Sequence, residues 1–272
     1  GDATRDPVVA MRARELGRTP IVVGDRVGLV GDLSGKPDTL ARIVRVEERT
    51  TVLRRTADDT DPVERLVVAN AEQLVVVTAV ADPMPRTGFV DRCLVAAYAG
   101  GLSPLLCLTK ADLADPGPFA AHYAELELPV LITRRDEPER LGALADALAG
   151  RVSALVGHSG VGKSTLVNAL LPDADRAVGR VSGVGKGRHT TVAALALPLP
   201  ADRGGWVVDT PGVRSFGLAH VTTDDVIAAF DDLATAIDDC PRGCGHLGPP
   251  ADPECALDTL VEQGQLRAGR LA

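Results

Sequence analysis

Residues 157–164 read Gly-His-Ser-Gly-Val-Gly-Lys-Ser, which is the G-x-x-x-x-G-K-[ST] pattern of a phosphate-binding loop. An apolar run at residues 154–156 precedes the pattern, and residues 164–171 have the composition of a helix. A strand, a glycine-rich turn and a helix in this order direct backbone N–H groups and the positive end of a helix dipole at one phosphate. A chance match on a glycine-rich turn is the alternative, and the flanking strand and helix argue against it. The pattern predicts an α/β fold that binds a nucleotide.

Two side chains of this loop have predicted roles in holding a nucleotide. Lys163 is expected to place its charge on the β and γ phosphates, and Ser164 to offer its hydroxyl to a Mg²⁺ ion. The full set of predicted contacts is Gly157, His158, Ser159, Gly160, Val161, Gly162, Lys163, Ser164 and Thr165.

A second group for the metal follows another apolar run at residues 206–208. Asp209 begins the sequence Asp-Thr-Pro-Gly, a D-x-x-G pattern, which predicts Asp209 near the Mg²⁺ ion and the Gly212 N–H near a γ-phosphate. Between the loop and this pattern, Thr190 is predicted to close over the metal when a γ-phosphate is present. The start of an ordinary strand is the alternative for Thr190.

A base-recognition motif is predicted after a buried strand at residues 104–108. Residues 109–112 read Thr-Lys-Ala-Asp, and the Asp112 carboxylate can accept two hydrogen bonds from guanine that adenine does not offer. Lys110 is expected to pack the aliphatic part of its side chain over the plane of the base. Thr109 stands where GTPases with this motif usually carry Asn, so the supporting contact made by that Asn is not predicted here. An ATP-using enzyme such as a kinase is a competing interpretation, and Asp112 distinguishes the two.

The order of these motifs differs from that of most small GTPases. In most of them the phosphate loop comes first, followed by the switch threonine, D-x-x-G and the guanine motif. Here the guanine motif (109–112) precedes the phosphate loop (157–164), Thr190 and D-x-x-G (209–212). This order is a circular permutation of one α/β sheet. It makes D-x-x-G lead directly into the C-terminal segment, so a nucleotide-dependent shift is expected to reach that segment.

Three of the five cysteines fall within residues 240–255. With one histidine they offer three thiolates and an imidazole, a donor set typical of a closed, structural Zn²⁺ site. Dense spacing late in the chain, without a signal-peptide pattern, favours a metal over disulfides. Incidental thiols near a histidine are the alternative. The candidate ligands are Cys240, Cys244, His246 and Cys255.

The formal net charge of −8 argues at first against a polyanionic partner such as RNA. The charge is unevenly distributed, however, because residues 1–57 hold 11 basic and 8 acidic side chains and residues 176–208 hold 5 and 1. The N-terminal arginines are either ordinary solvated charges or a face that binds a nucleic-acid backbone. The same region has short β-branched runs between Gly-rich turns, typical of a small barrel or sheet. These runs are residues 21–23, 27–30, 41–46 and 66–68.

From about residue 71, apolar strands and helices alternate, which predicts a doubly wound α/β sheet. The predicted strands are residues 73–80, 104–108, 130–133, 154–156, 192–197 and 206–208, and the predicted helices are residues 89–98, 141–148 and 164–171. Cys93 and Cys107 fall on apolar segments and are predicted to be core residues. After about residue 218 the pattern is helical and acidic. No apolar run approaches the roughly 18 residues that span a bilayer, so no membrane partner is expected.

Taken together, the β-rich N-terminal region, the permuted motifs and the Cys/His pattern resemble the RsgA/YjeQ family of small-ribosomal-subunit-dependent GTPases. The resemblance extends from about residue 22 to residue 256. It is carried by residues 109–112, 157–165, 187–191, 209–217 and 240–255. It implies an OB-fold over residues 1–70, a circularly permuted P-loop GTPase domain over residues 71–218 and a helical zinc-binding domain over residues 219–272. The first OB-fold strand is not evident before residue 21, so an OB-fold without that strand is one expectation.

The resemblance also implies a function. The expected protein is a cytoplasmic, monomeric enzyme that binds the small (30S) ribosomal subunit and its rRNA, meets another assembly factor, and acts as a checkpoint in late maturation. It hydrolyses GTP to GDP and phosphate with Mg²⁺, and the subunit stimulates the reaction. The alternative is an RNA- or protein-binding module that uses the nucleotide as a regulatory clamp with little turnover.

The residue that positions the attacking water is less evident in the sequence. Val213 occupies the place after D-x-x-G where a water-orienting Gln is usual, so a slow intrinsic rate is expected. His189 is the candidate for this role, and a solvated loop histidine is the alternative. The predicted catalytic set is therefore Lys163, His189, Thr190 and Gly212.

Overall fold

The structure is a computed structural model of the 272-residue chain, and it describes residues 7–61, 63–126, 128–137, 139–171, 194–212 and 216–267. The strands, numbered in chain order, are β1 (Ala10–Arg12), β2 (Val27–Gly31), β3 (Ala41–Val46), β4 (Val52–Arg55), β5 (Arg65–Ala69), β6 (Gln73–Ala79), β7 (Ser103–Thr109), β8 (Val130–Ile132), β9 (Val152–Val156), β10 (Leu195–Pro198) and β11 (Trp206–Asp209). The helices are α1 (Thr87–Ala99), α2 (Gly117–His122), α3 (Glu139–Leu148), α4 (Lys163–Leu170), α5 (Thr223–Ile227), α6 (Asp231–Ala236) and α7 (Ala256–Glu262).

Six of the described strands form one sheet in the order β10-β11-β9-β6-β7-β8. Neighbouring strands are parallel except β10 and β11, which run antiparallel. Parallel neighbours have their carboxyl ends at one edge, so the chain leaving β7, β9 and β11 emerges at the same place. The three predicted motifs begin at these strand ends, at Thr109, Gly157 and Asp209.

Strand β6 runs through the middle of the sheet, and all of its residues are buried. Leu74 and Val76 pack on one face with α1, whereas Val75 and Val77 pack on the other face with α3 and α4. A parallel sheet covered on both faces needs apolar side chains on both, which explains the continuous apolar run in this strand. The predicted α/β core is therefore confirmed.

Helix α1 lies against this sheet through one stripe of side chains. Phe89, Cys93 and Ala97 are four residues apart, as are Val90 and Leu94, and all five are buried. This spacing places the buried side chains on the one face of α1 that packs on the sheet. Helix α1 extends slightly beyond the predicted residues 89–98.

The two cysteines outside the Cys/His pattern are core residues, as predicted. Cys93 and Cys107 are both 0% exposed. Burial raises the pKa of the Cys107 thiol to about 12 and also raises that of Cys93. Both thiols are therefore protonated near neutral pH and poor nucleophiles.

The N-terminal strands form two small sheets, one in the order β1-β3-β2 and one of β4 paired with β5. The strands predicted at residues 27–30, 41–46 and 66–68 are confirmed. The strand predicted at residues 21–23 is wrong, because the Val22 N–H donates to the Asp25 carboxylate at 2.8 Å and closes a turn there. Strands β1 and β4 were missed by the sequence pattern.

The β4–β5 hairpin packs directly on the central domain. Leu53 and Val68 belong to the same buried core as α1. The Val52 N–H donates to the Gly100 carbonyl at 3.1 Å, just after α1 ends. A Cβ on Gly100 would lie 2.3 Å from the Val52 carbonyl oxygen, so only glycine allows this approach.

The strand predicted at residues 192–197 corresponds to β10. Its described part starts at Leu195 and ends at Pro198, and residues 192–193 lie outside the described residues. The described part of β10 pairs with β11 along its whole length and forms one edge of the sheet.

After β11 the chain returns to the N-terminal region. Thr56 and Gly217 form an antiparallel bridge with N···O distances of 3.0 and 3.3 Å. The Leu218 N–H donates to the Asp59 carboxylate at 3.1 Å. Three short helices follow, and Phe230, between α5 and α6, packs its ring on that of Tyr98 in α1, with ring centroids 4.5 Å apart. No helix in the described ranges is both long and apolar enough to cross a membrane.

Candidate functional site

The predicted phosphate loop connects β9 to α4. Gly162 ends the loop with a φ of 93°, in the left-handed region that favours glycine, and caps the N-terminus of α4. Gly157 begins it against β6, where a Cβ would lie 2.5 Å from the Val77 carbonyl oxygen. The glycines thus let the backbone curl at one end of the loop and approach the neighbouring strand at the other.

Lys163 begins α4, and its side chain is only 7% exposed. Its Nζ donates a hydrogen bond to Asp209 Oδ1 at 2.7 Å and another to the Thr210 carbonyl. Removing one partner of a buried ion pair costs about 3–5 kcal/mol, so this contact fixes both side chains. The charge predicted to meet phosphate and the carboxylate predicted to meet Mg²⁺ therefore lie in direct contact.

The D-x-x-G segment is fastened to the phosphate loop at two points. Thr210 donates its buried hydroxyl to the Leu155 carbonyl at 2.6 Å, which ties the end of β11 to β9. Gly212 lies beside Ser159, because a Cβ on Gly212 would be 3.4 Å from the Ser159 nitrogen. Thr210 was missed by the sequence reasoning, although it lies inside the D-x-x-G pattern, since its partner is on another strand.

The base motif is also connected to the phosphate loop. Thr109 ends β7, and its hydroxyl donates to the Val161 carbonyl at 2.5 Å. The Thr109 hydroxyl therefore connects the base motif to the phosphate loop. Lys110 has a φ of 57° and donates from Nζ to the Asp82 carbonyl.

Asp112, the predicted guanine acceptor, is exposed to solvent beside the end of β8. The Ala111 N–H donates to the Thr133 carbonyl at 3.4 Å, which places the two segments side by side. Arg134 follows, and its pKa is raised chiefly by hydrogen bonding to Asp136, with a smaller contribution from the charge of Asp112. The neighbourhood of these two segments was not predicted from the sequence, because it depends on the pairing of β7 with β8.

The remaining loop residues differ in what they present to a ligand. Ser159, Gly160, Ser164 and Thr165 are exposed, whereas Val161 is buried in the core under α4. His158 packs its ring on Phe89. Two residues with predicted roles, His189 and Thr190, lie outside the described residues, as does Val213, which stands in place of the usual Gln.

The four predicted zinc ligands come together between α6 and α7. The distances from the three sulfurs to His246 Nδ1 are 3.5, 3.6 and 3.8 Å, and Cys240 Sγ lies 4.0 Å from Cys255 Sγ. Zinc–sulfur and zinc–nitrogen bonds at tetrahedral angles separate sulfur from nitrogen by about 3.6 Å and sulfur from sulfur by about 3.8 Å. The spacing of the donor atoms therefore fits a tetrahedral zinc ion.

Groups around this cluster are arranged to orient the ligands. The Ala256 N–H donates to Cys240 Sγ at 3.3 Å, a contact that stabilises a thiolate. His246 Nε2 lies 3.6 Å from an Asp224 carboxylate oxygen, on the side away from the sulfurs. A carboxylate behind a histidine ligand favours binding through the other ring nitrogen.

A model of the RsgA GTPase family matches residues 46–219, more than half of the chain. The chain belongs to the RsgA GTPase family. The match includes the base motif, the phosphate loop and D-x-x-G, and it identifies the protein as a GTPase. The resemblance inferred from the sequence is thereby confirmed.

Curated relatives match almost the whole chain. The protein named small ribosomal subunit biogenesis GTPase RsgA from Alcanivorax borkumensis is 40% identical over 260 residues, covering 93% of this chain and 71% of the relative. The protein of the same name from Gemmatimonas aurantiaca is 40% identical over 259 residues, covering 93% of this chain and 82% of the relative.

Two solved structures share the fold of this family member. YjeQ from Thermotoga maritima is 27% identical, with a TM-score of 0.65, and the alignment covers 97% of this chain and 86% of that one. YloQ, described as a circularly permuted GTPase, has a TM-score of 0.62 at 24% identity, with 99% and 85% covered. The permuted order predicted from the motifs agrees with this likeness in fold.

Proposed function

We propose that this chain hydrolyses GTP to GDP and phosphate as a checkpoint in late assembly of the small ribosomal subunit. The observation that carries the proposal is the convergence of the phosphate loop, Asp209 and Thr109 at one edge of the sheet. The names of relatives that cover 93% of the chain supply the biological setting.

The phosphates of GTP would lie against the backbone N–H groups of residues 157–162 and the N-terminus of α4. Lys163 supplies the positive charge that stabilises the β and γ phosphates and the charge that develops on them during transfer. Gly212, beside Ser159, would offer its N–H to the γ-phosphate.

A Mg²⁺ ion suits the oxygen groups at the same edge. Ser164 is exposed in the first turn of α4. Asp209 is the last residue of β11, and Thr210, which follows it, anchors this strand end to β9. Hydroxyl and carboxylate oxygens are the ligands that Mg²⁺ prefers. When bound, the ion neutralises charge on the β and γ oxygens. Thr190 would complete this set.

Base selection is assigned to the segment after β7. The exposed Asp112 carboxylate would accept hydrogen bonds from N1 and the exocyclic amine of guanine. Lys110 would cover the base with its stem while its ammonium group is held by the Asp82 carbonyl. Thr109 keeps this segment in register with the phosphate loop.

The attacking water needs an orienting group that the residue after D-x-x-G does not supply. Val213 has no polar group to orient it, so we expect a slow intrinsic rate, with His189 or the bound subunit positioning the water. Stimulation by a partner follows from the same reasoning, since a partner can complete a site that lacks this group.

The remaining parts of the proposal concern domains and partners. We assign residues 1–70 to an OB-fold, 71–218 to the GTPase domain and 219–272 to a domain held by one structural Zn²⁺ ion on the Cys/His cluster. The N-terminal arginines would contact rRNA of the subunit, and another assembly factor would meet the complex. A monomeric, cytoplasmic protein is expected for this role.

The decisive experiment titrates the GTPase rate of the purified chain with small ribosomal subunits at fixed GTP and Mg²⁺. We expect saturable stimulation of at least about tenfold, with none from large subunits and none in Lys163→Ala. An unchanged rate at saturating small subunits would overturn the assembly role while leaving the intrinsic GTPase activity intact.

The alternative, a clamp with little turnover, is not favoured, because the family to which the chain belongs consists of GTPases. The same titration separates the two ideas. A clamp would bind the subunit in a GTP-dependent way without releasing phosphate.

A further inference from the structure

The segment between β6 and α1 contacts the nucleotide site although it carries none of the motifs. Its Asp82 carbonyl accepts the hydrogen bond from Lys110 of the base motif. Pro83 lies beside the phosphate loop, since a Cβ on Gly160 would be 3.8 Å from Pro83 Cδ. The segment thus touches both halves of the site before the chain enters α1.

A further contact with the nucleotide site is made by Phe89, in the first turn of α1. Its ring stacks on the ring of His158, with centroids 4.0 Å apart and planes inclined at 39°. Phe89 is only 7% exposed and belongs to the core beneath α1, so its position is fixed by the fold. His158 is part of a loop and only partly buried. Of the two rings, Phe89 is therefore the support and His158 the group supported.

The position of His158 matters because of its neighbour in the chain. Ser159 follows directly, and its backbone lies against Gly212, whose Cβ position is 3.4 Å from the Ser159 nitrogen. This is the place where the loop and the D-x-x-G segment meet, and where a γ-phosphate would be sensed. A shift of His158 would move Ser159 relative to Gly212.

We propose that Phe89 is a positioning residue for the triphosphate, which acts through His158 to hold the Ser159 backbone against Gly212. The inference rests on the proposed function, because it concerns the nucleotide of that site. It predicts that Phe89 affects binding of a triphosphate more than binding of a diphosphate. A residue that only stabilised the fold would weaken both equally.

The test compares Phe89→Leu with the wild-type chain. Leucine keeps the side chain apolar but removes the ring. We expect the dissociation constant of a non-hydrolysable GTP analogue to rise about two- to tenfold, the range that loss of one aromatic pair produces, and that of GDP to change less than about twofold. Fluorescence titration with labelled nucleotides in Mg²⁺ gives both constants.

Phe119→Leu is the matched control, because Phe119 packs on the same core from α2 and meets Tyr123 edge-to-face, at 5.5 Å between centroids, rather than contacting the loop. It should change neither constant. His158→Ala repeats the test on the loop side if Phe89→Leu does not fold, and the same selective loss is expected. The double variant should lose no more affinity than either single one.

Equal losses for both nucleotides, no loss, or additive losses in the double variant would each overturn the proposal. Those outcomes leave the proposed function untouched. Failure of the wild-type chain to bind guanine nucleotides would instead contradict the function itself.

Discussion

The nucleotide site and the Cys/His cluster bring their side chains together in different ways. Lys163 and Asp209 are 46 positions apart, and Thr109 and Val161 are 52 apart, so their contacts depend on four strands of the central sheet. The cluster instead takes all its ligands from residues 240–255, between short helices. Among the described residues, the core around it has four buried members, Ile227, Leu233, Cys255 and Leu257, with partly buried apolar side chains packed against them.

This difference indicates what holds each site. The nucleotide site is held by the central sheet, so its geometry is kept as long as the sheet is folded. The second lacks a large core, and bonds to a metal ion are expected to supply its stability. Damage to one site should therefore leave the other intact, and the following predictions test that separation.

The largest effect is expected for Lys163→Ala. Loss of the buried charge that meets the phosphates should lower GTP affinity by at least about 100-fold. Isothermal titration calorimetry measures the affinity, and metal analysis should still find one zinc per chain. Lys36→Ala, at an exposed lysine of the N-terminal region, is the control. Retained affinity in Lys163→Ala would show that the loop does not bind phosphate as assigned.

The reverse separation is tested by Cys244→Ser. Removal of one of four ligands should release about one zinc ion per chain and make residues 216–267 more sensitive to proteolysis. GTP affinity should stay within about twofold of wild type, since the sheet does not depend on the ion. Cys93→Ala, which removes a core thiol, should keep its zinc. An unchanged metal content in Cys244→Ser would show that the cluster is not a zinc site.

A smaller effect is expected at the exposed edge of the nucleotide site. Asp112→Asn should weaken GTP binding about 10- to 100-fold, because hydrogen bonds to a charged acceptor are lost. The same variant should gain affinity for xanthosine triphosphate, whose 2-carbonyl can accept from the amide. Asp115→Asn, three residues later, is the control. Tighter binding of ATP than of GTP by the wild-type chain would contradict the assignment of a guanine site.

The smallest effect tests how far the sheet fixes the loop. Thr109→Val removes the hydroxyl that reaches the Val161 carbonyl but keeps the shape, and one neutral hydrogen bond contributes about 1 kcal/mol. Affinity for GTP and GDP should fall together by about fivefold. Thr51→Val removes a hydroxyl that donates to the Ala71 carbonyl at 2.6 Å, away from both the loop and the base motif, and should not affect either nucleotide. Equal effects of the two variants on nucleotide affinity would mean that the hydrogen bond from Thr109 to Val161 does not position the loop.

The sequence predicted the motifs well because each is a local pattern. A strand, a glycine turn and a helix occupy consecutive residues, and the conformation of Gly162 follows from the backbone there. The cluster was predictable for the same reason, since four metal-binding side chains lie close in sequence. The central strands were found because burial on both faces produces continuous apolar runs.

Contacts between distant segments were not predictable in this way. The bond from Thr210 to Leu155, the packing of Phe89 on His158 and the hydrogen bond from Ala111 to Thr133 all depend on which strands are neighbours. The wrong strand at residues 21–23 has a local cause. A β-branched run favours a strand, but the Val22 N–H donates to the Asp25 carboxylate, and this hydrogen bond stabilises a turn instead.

The bridge between Thr56 and Gly217 also has a mechanical consequence. A force that pulls the N-terminal sheets away from the C-terminal helices would load this point, where two backbone hydrogen bonds join Thr56 to Gly217. Such bonds contribute about 1 kcal/mol each, far less than the buried strands behind them. The bridge would therefore separate before the parallel strands of the central sheet do.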